Sequence, residues 1–305
     1  MKISKALYQA ITDRKIRFSY LTKLGVFNGL SDEQYLKLKY KNVFGRDLDL
    51  ENPKTFNEKL QWLKLHNRKP EYTVMVDKYK VREYIAQMLG EEYLIPLLGV
   101  WDDPDEIDFD ALPDQFVLKC NHNSGLGMCI CKDKSKLDIE KVKKELRKGL
   151  KEDYYLKFRE WPYKDVPRKI IAEKYMEDAS GDLKDYKFYC FNGVMKFVMI
   201  NSDRNTDKPT RADYFDRDFN WLDFTWGYSH AEVHPGKPEQ FEKMVAIAEK
   251  LSIGLPHIRV DLYDCNRKIY FGELTFFDGS GFDKIEPLEW DYKIGEYIVL
   301  PEKLI

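Results

Sequence analysis

The sequence lacks several features that would assign a protein class at once. It has only five cysteines in 305 residues, an odd number without framework spacing, which favours reduced thiols over a disulfide scaffold. No apolar run approaches the roughly 18 residues that a membrane span needs, and Met1–Leu7 is basic without the apolar core of a signal peptide. The net charge of -2 gives no basic excess for nucleic-acid binding. We therefore expect a cytoplasmic protein with no transmembrane segment and no nucleic-acid partner.

The composition is that of a folded protein of moderate size. It is 43% hydrophobic and 33% charged, which is typical of a globular chain and not of a disordered one. A chain of this length predicts two domains, or one large core with an inserted lid. The oligomeric state is left open, a homo-oligomer included.

The most informative stretch is a predicted β-hairpin, Arg259–Thr275, in which two apolar, β-rich runs flank a turn cluster. Arg259 and Asp261 share a face of the first run, and Glu273 and Thr275 share a face of the second. Carboxylates on buried strands are costly unless they are paired or bind metal. Two of them in a cleft suit Mg²⁺, which takes few carboxylate oxygens beside phosphates. The alternative, that both acids lie on the wet face of the hairpin, stays open at this point.

The register of this hairpin decides whether the two carboxylates meet. A three-residue loop over residues 265–267 puts Asp261 and Glu273 on one face, because faces alternate along each strand. A two- or four-residue loop centred on residues 265 and 266 puts them on opposite faces. We therefore predict an odd-length loop or a compensating bulge, with both carboxylates on the face of Thr275.

A small-residue loop between two short strands is a second candidate site. The strand 116–120 contains Lys119, and residues 121–127 connect it to a returning strand at 128–131. Such a loop can aim backbone N–H groups at a phosphate, although no helix opens after the glycines as in the Walker or dinucleotide patterns. A lysine within an apolar strand needs a partner, so we expect phosphate to be the main neutralising group of Lys119.

The other patterns alternate between helices and hairpins, which predicts an α+β fold and not a doubly wound parallel sheet. Helices are predicted within residues 1–50, from residue 56 after a capping box of Thr55 and Glu58, and at 78–89, 138–152 and 241–251. A loop-rich connection is predicted at 96–114 and a strand at 169–176. A hairpin is predicted to turn at Asn192-Gly193 through a type I′ turn. The helix at 138–152 is strongly charged, and we expect it to present a solvated face.

Several motifs occur in a fixed order along the chain. They are Asp77-Lys78, Lys119 with its small-residue loop, Glu173-Lys174-Tyr175-Met176, Arg259-Val260-Asp261, and Glu273-Leu274-Thr275 followed by Gly279-Ser280-Gly281. This ordered set resembles the ATP-grasp superfamily, and most closely its teichuronopeptide-biosynthesis (TupA-like) branch of capsular and surface-polysaccharide proteins. The resemblance implies an α+β ATP-grasp fold, with antiparallel sheets, a small mobile lid domain and an N-terminal helical extension.

The resemblance also implies how the chain is divided. The implied segments are an N-terminal helical extension at 1–50, an N-terminal domain at 51–115, a central lid domain with the phosphate loop at 116–172, and a C-terminal ATP-grasp domain with the metal site at 173–305.

The same resemblance implies a role for each motif, with ATP and Mg²⁺ as cofactors. Lys78 and Lys119 would hold the ATP phosphates, and Arg259 with Lys119 would act on the transferred phosphoryl group. The metal ligands implied are Asp261, Glu273 and Thr275. The superfamily usually has asparagine at the third of these positions, so the threonine is a departure. The other nucleotide-binding residues implied are Asn123, Ser124, Gly125, Gly127, Glu173, Lys174, Tyr175, Met176, Asp185 and Lys187. Within that set, the backbone of residues 174–176 would pair with adenine.

The activity implied is that of an ATP-dependent carboxylate–amine ligase, which makes an amide through an acyl phosphate. The expected partners are a small-molecule or nucleotide-linked sugar acid and an amine, such as a uronic acid and an amino acid in a surface-polysaccharide precursor. One alternative is a glycosyltransferase, for which Asp103 and Asp105 have the Asp-x-Asp spacing in a turn-like context. Another is a scaffold protein that kept the fold and lost turnover.

Overall fold

The structure is a computed structural model, and it describes residues 13–178, 183–203 and 208–302. Helices in these ranges are α1 (Arg14–Lys23), α2 (Asp32–Phe44), α3 (Phe56–His66), α4 (Glu71–Val76), α5 (Val81–Met88), α6 (Ile139–Leu150), α7 (Tyr154–Phe158), α8 (Phe241–Ser252) and α9 (Leu288–Glu296). Strands are β1 (Leu97–Trp101), β2 (Phe116–Cys120), β3 (Met128–Cys131), β4 (Ile170–Lys174), β5 (Lys184–Phe191), β6 (Val194–Ser202), β7 (Arg211–Asp216), β8 (Trp221–Leu222), β9 (Thr225–Trp226), β10 (Ile258–Cys265), β11 (Lys268–Thr275) and β12 (Ile285–Glu286).

The predicted α+β class with antiparallel sheets is confirmed, since every strand pair among the described residues is antiparallel. None of the helices in this part of the chain is long and apolar enough to cross a membrane. The five cysteines are free thiols, and Cys131 and Cys129 pack in or against an apolar cluster, as expected.

Two helices near the N-terminal end confirm the helical expectation for the described part of residues 1–50; residues 1–12 lie outside the described ranges. The helix predicted to begin at Phe56 does so, because the Thr55 hydroxyl accepts from the Glu58 N–H and the Glu58 carboxylate accepts from the Thr55 N–H. This helix, α3, is buried along most of its length.

Two main sheets and a separate pair of short strands, β9 and β12, occur in the described residues; the smaller main sheet, called the smaller sheet below, has four strands in the order β1-β4-β2-β3. The expectation of a loop over 96–114 is wrong at β1, which pairs with β4 from Leu97 opposite Glu173 to Trp101 opposite Ile170. A five-residue run with Gly99 inside it carries little strand signal, so only pairing with β4 defines it. The sheet therefore contains strands on both sides of the sequence-based boundary at residue 116.

Helix α6 covers this sheet and is less solvated than expected. Val142 and Leu146 are buried with Phe116 and Leu118 of β2 in one apolar cluster. The charged residues occupy the remaining faces, which is the arrangement of an amphipathic helix. Charge density alone therefore gave an incomplete account of α6.

The larger sheet has six strands in the order β11-β10-β5-β6-β7-β8. The β5–β6 hairpin turns at Asn192-Gly193 with φ of 49° and 84°, which confirms the predicted type I′ turn. Helix α8 confirms the helix predicted at 241–251, and it buries Met244, Ala248 and Leu251. The sheet and this helix form most of the main apolar core.

The β10–β11 hairpin reaches the predicted register by a bulge and not by a three-residue loop. Cys265 pairs with Lys268, so the loop is the two-residue Asn266-Arg267 with φ of 53° and 65°. The register then shifts next to Asp261, which pairs with Glu273. Of the two predicted alternatives, the odd-length loop does not form, because a two-residue turn with both φ values positive matches the twist of the strands. The predicted compensating bulge is confirmed.

Gly272 is the residue that the bulge leaves without a cross-strand partner. A Cβ at this position would lie 3.0 Å from the main-chain oxygen of Asp261 and 3.0 Å from the Tyr263 ring. Glycine therefore lets the two strands approach closely where the register shifts. Arg259 pairs with Thr275 in this register, so all the predicted metal and phosphoryl-group residues of the hairpin lie on one face.

Candidate active site

Arg259 is the centre of a buried charge network on the larger sheet. Its Nε lies 2.7 Å from Asp261 Oδ1 and its Nη2 lies 2.8 Å from Asp261 Oδ2, a bidentate pair. The same Nη2 lies 2.8 Å from Glu273 Oε1, and Nη1 donates to Asp278. One guanidinium thus orients three carboxylates, and Arg259 itself is only 8% exposed.

The neighbouring strand β5 extends this network, because Lys187 pairs directly with Asp261 in the sheet. Lys187 Nζ donates to Asp261 and lies 2.6 Å from Asp185 Oδ2. Burial alone would lower the pKa of Lys187, but Asp261 and Asp185 raise it above its ordinary value. Lys187 therefore stays charged among these acids.

Glu273 is held in its ionised form by the surrounding cations. Burial would raise the pKa of Glu273, but Lys78, Arg259 and Lys187 outweigh burial and hold it at about 2. The Thr275 hydroxyl also donates to Glu273 Oε1 at 3.2 Å. An anionic oxygen beside a hydroxyl is therefore present at neutral pH.

These oxygens fit a hard divalent cation. Asp261, Glu273 and Thr275 offer two carboxylates and a hydroxyl on one face of the sheet. Among the residues that the structure describes, no group of three or more His, Cys, Asp or Glu side chains is arranged to hold a metal by protein ligands alone. Mg²⁺ is commonly bound through one or two carboxylates together with phosphates and water, so the donor set suits a metal that is shared with a nucleotide.

Lys119 contributes from the smaller sheet, and its charge already has a protein partner. Its Nζ lies 2.6 Å from Glu173 Oε2, while Arg82 Nη1 lies 3.4 Å from Glu173 Oε1. The expectation that phosphate is the main neutralising group of Lys119 stays a prediction for the nucleotide complex, but sequence reasoning did not foresee this carboxylate partner. The cause is pairing across the sheet, since Val117 and not Lys119 lies opposite Glu173 on β4 and the two side chains reach each other diagonally.

Lys78 lies between the two networks. Its Nζ donates to the main-chain oxygen of Asn123 at 2.7 Å, and its N–H donates to Asn121 at 3.2 Å. Burial lowers the pKa of Lys78, with Glu273 the strongest opposing charge and Lys119 a further repulsive one. Lys78 thus feels charges from both sheets, which brings the predicted phosphate and metal residues into one electrostatic region.

The small-residue loop is fixed by its ends and open in its middle. Gly127 has φ of 69°, and a Cβ there would lie 2.8 Å from the Cα of Gly149 in α6. Gly125 has φ of 85° and open space around a Cβ, and Ser124 is exposed. Asn123 is buried, and its side-chain amide donates to the Gly149 carbonyl at 3.1 Å. The open stretch is the part that could meet a phosphate.

The predicted adenine-binding segment follows β4 directly. The N–H of Lys174 already donates to the Pro96 carbonyl at 3.0 Å, and the Tyr175 ring lies 5.4 Å from Lys132 Nζ. Pairing with adenine would therefore fall to the backbone of Tyr175 and Met176, which are partly exposed.

Sequence reasoning missed residues that the fold brings to the site from a distance. Asp278 binds Arg259 and also accepts from the Tyr189 hydroxyl. It opens the 3₁₀ turn Asp278–Gly281, in which three successive residues have φ of 53°, 54° and 61°. Left-handed backbone at the non-glycine Ser280 is strained and marks functional loops. The run of small residues was the only sequence signal for it.

A second buried cluster lies behind that turn. The Ser280 hydroxyl donates to Glu160, and Lys64 Nζ donates to the Ser280 carbonyl at 2.7 Å. Burial raises the pKa of Glu160 to about 7, although Lys64 opposes it. No local pattern marks these contacts, because the partners come from separate parts of the chain.

The acidic pair weighed for a glycosyltransferase has ordinary structural roles. The Asp103 side chain caps the 3₁₀ turn Pro104–Glu106. Asp105 pairs with Arg147 and, at 3.2 Å, with Lys143 on the surface. Nothing in this geometry favours nucleotide-sugar binding at these two residues.

Comparisons with known proteins give one family and several distant structures. A family model described as TupA-like ATPgrasp matches residues 58–299. The chain is similar to a D-alanine–D-alanine ligase from Bacillus anthracis complexed with ATP, at 17% identity over 67% of this chain and 54% of that chain, with a TM-score of 0.40. The corresponding ligase from Helicobacter pylori gives 14% identity over 82% and 70%, with a TM-score of 0.42.

D-cycloserine synthetase DcsG is a further similar structure, at 14% identity over 75% of this chain and 70% of that chain, with a TM-score of 0.43. The chain spans little more than half of the length of the Bacillus anthracis ligase. No curated protein matches the sequence. The family match covers most of the chain, whereas the structural likenesses are too distant to bear on activity.

Proposed function

Because the chain belongs to the TupA-like ATP-grasp family, we propose that it is an ATP-dependent carboxylate–amine ligase that makes an amide through an acyl phosphate. The observation that carries this proposal is the convergence of charge from both sheets. Lys78 donates to the small-residue loop and feels the charges of Lys119 on the smaller sheet and of Glu273 on the larger one, and Arg259 orients Glu273 together with Asp261. Phosphoryl transfer needs this combination of cations and metal ligands, and little covalent chemistry from the protein.

Each part of the site has a role in this proposal. Lys78, Lys119 and the loop N–H groups bind the ATP phosphates, and Arg259 binds the phosphoryl group in transfer. Asp261, Glu273 and Thr275 would hold Mg²⁺, which when bound neutralises charge on the phosphates. The buried network around Arg259 keeps these groups preorganised, so little reorganisation is needed as charge develops.

The reaction proceeds in two displacements. A carboxylate oxygen of the acceptor bonds to the γ-phosphorus of ATP, and ADP leaves with the electrons of the broken P–O bond. An amine nitrogen then bonds to the acyl carbon, inorganic phosphate leaves, and the amine gives up a proton. The small-residue loop would cover the site and keep water from the acyl phosphate.

The acceptor that we propose is a precursor of a surface or capsular polysaccharide, in which a uronic acid carboxylate is joined to an amino acid or another amine. The support is that the matched family is described as TupA-like, which is the branch of surface-polysaccharide proteins that the sequence resembles. Nothing in the described residues favours the glycosyltransferase alternative. The ordered network around Arg259 is more consistent with an enzyme than with a scaffold that has lost turnover.

The test is a matrix of uronic acids and amines with ATP and Mg²⁺, followed by ADP release. The ligase proposal expects ADP and phosphate only when both substrates are present, or when hydroxylamine replaces the amine and traps the acyl phosphate. AMP and pyrophosphate would instead indicate adenylation. Sugar transfer from a nucleotide sugar without ATP would overturn the ligase in favour of a glycosyltransferase.

A further inference from the structure

A cavity of about 570 Å³ lies between the N-terminal helices and the segment around α7, apart from the residues assigned above. This volume is within the range of small-molecule sites, roughly 300–1,000 Å³. Its walls come from α1, α2 and residues 152–158. The charged side chains of its lining are Lys15, Lys23, Lys39, Lys157, Glu152 and Asp153. Positive charge therefore exceeds negative charge in a mostly apolar chamber.

Lys39 is the cation of this lining that most needs a ligand. Its Nζ donates to the Lys157 carbonyl at 3.0 Å and lies 4.1 Å from the centre of the Phe158 ring and 4.6 Å from that of Phe282. Among the described residues, Lys39 has no ion pair, since no Asp or Glu oxygen lies within 4.0 Å of its Nζ. Burial lowers the pKa of Lys39 to about 7, and Lys64 adds repulsion. An ammonium that is half-buried and has no carboxylate partner is costly, which favours an external anion.

Direct contacts connect this cavity with the turn beside Arg259. The Phe282 ring contacts both Lys39 and Lys64, and Lys64 Nζ is 4.7 Å from its centre. Lys64 in turn donates to the Ser280 carbonyl, in the turn whose first residue binds Arg259. The contacts of Phe282 and Lys64 therefore link a molecule that lies against Lys39 to the turn beside Arg259.

We propose that this cavity holds a second anionic group of the acceptor, a phosphate or carboxylate on a sugar ring, and that Lys39 neutralises it. This inference rests on the proposed ligase function, in which the reacting carboxylate lies near Arg259 and the rest of the acceptor needs its own site. Phe18 and Phe158 in the lining offer aromatic faces for a sugar ring. The lysine excess supplies charge complementarity for the anion.

Binding of an anion at this site should be accompanied by proton uptake. The charged groups that act on Lys39 are Lys64, Lys157, Glu160 and Asp283. A bound anion favours the charged ammonium, so Lys39 takes up part of a proton at pH 7 to 8 when the anion binds. A cavity that bound neutral sugars by stacking alone would take up none.

The experiment is calorimetry on the full chain with glucuronic acid 1-phosphate, glucuronic acid, glucose 1-phosphate and glucose, each in two buffers of different ionisation enthalpy. Wild type is expected to bind the anionic sugars with proton uptake and glucose at least tenfold more weakly. Lys39→Met should weaken the anionic sugars at least tenfold and abolish the uptake. Lys37→Met is the matched control, because this exposed lysine of the same helix pairs with Glu33 at 2.6 Å.

Folding is checked by the melting temperature, which Lys39→Met should leave unchanged or raise, because a half-buried charge without a carboxylate partner is removed. Lys39→Gln is the second variant if the first does not fold. Equal affinity of wild type and the folded variant for the anionic sugars would overturn the proposed anion site. Lys39 would then only pack against the rings of Phe158 and Phe282. The proposal would also be overturned if wild type bound glucose as tightly as the anionic sugars, or if it bound no anionic sugar.

Failure of the ligase proposal is distinguishable from failure of this site. Anion binding through Lys39 without ADP release from any carboxylate–amine pair would defeat the ligase proposal alone. ADP release that depends on a uronic acid, with the same KM in Lys39→Met and wild type, would defeat the anion site alone.

Discussion

The two sheets carry charge in contrasting ways. On the larger sheet, Arg259 and Lys187 are buried and bind several carboxylates at once, on strands whose register is fixed by pairing along both edges. On the smaller sheet, Lys119 has a single carboxylate partner and is more exposed. The loop beside it contains glycines with positive φ and an open middle.

This contrast separates fold stability from ligand binding. A buried charge network is costly to break, because removing one member leaves the others unpaired in a poorly solvated place. The Lys119–Glu173 pair is more accessible to solvent at its lysine and has fewer members, so breaking it should cost less stability, and its lysine can exchange Glu173 for a ligand. We therefore expect changes on the larger sheet to affect folding and turnover together, and changes on the smaller sheet to affect mainly nucleotide binding.

The largest effect is expected for Arg259→Met. The variant leaves Asp261, Glu273 and Asp278 without their shared cation, so the free energy of unfolding should fall by about 3–5 kcal/mol. Urea denaturation measures this. Arg217→Met is the matched control, because Arg217 is half exposed and pairs with Glu242 at 3.5 Å; it should change stability by less than about 1 kcal/mol. Equal losses in the two variants would contradict the contrast between buried and exposed charge.

Glu273→Gln tests the metal assignment on the same sheet. The amide keeps the shape and loses the charge, so turnover should fall by roughly 100-fold or more, about 2.7 kcal/mol of barrier. ADP release at saturating Mg²⁺ is the measurement, with far-ultraviolet circular dichroism to confirm the fold. Glu242→Gln, an exposed change on α8, should retain turnover. Near-normal ADP release from Glu273→Gln would remove Glu273 from the metal ligands.

The two glycines of the small-residue loop sharpen the comparison within the smaller sheet. Both have positive φ, so alanine at either costs about 1–2 kcal/mol of backbone strain. Gly127→Ala also forces a Cβ against the Gly149 backbone at 2.8 Å, which adds about 1–3 kcal/mol of overpacking. Gly125→Ala meets open space and should be the milder change in thermal unfolding. The reverse order would mean that α6 does not fix the loop.

Local physics explains why part of this structure is readable from the sequence. The capping box at Thr55 and the turn at Asn192-Gly193 depend on neighbours within a few residues, and both form as predicted. The shared face of Asp261 and Glu273 also follows from strand alternation, but the bulge that produces it depends on how a two-residue loop packs.

Long-range pairing explains the rest. Strand β1 forms by pairing with β4, and its five-residue sequence, which contains a glycine, is too short to predict a strand. Asp278 and Glu160 reach Arg259 and Ser280 through the tertiary fold, and their own neighbours in sequence carry no motif. The assignments of ligand roles to the site residues remain predictions that the variants address.

The smallest effect is expected for Lys119→Ala. Nucleotide phosphate has to displace Glu173 from Lys119, where the two side chains are 2.6 Å apart. The loss of affinity should therefore be about 1 kcal/mol, below the roughly 1.5–3 kcal/mol of a hydrogen bond to a charged group. Calorimetry with a non-hydrolysable ATP analogue measures it, and Lys136→Ala, an exposed lysine in the nearby 3₁₀ turn, is the control.

Glu173→Gln tests how the Glu173 carboxylate affects nucleotide affinity at Lys119. If Glu173 competes with phosphate for Lys119, the variant binds the analogue more tightly than wild type, and Arg82, at 3.4 Å from the same side chain, loses only a weak partner. If Glu173 binds the ribose hydroxyls, the variant binds more weakly. Unchanged affinity in both Glu173→Gln and Lys119→Ala would contradict both roles, because neither side chain would then meet the nucleotide.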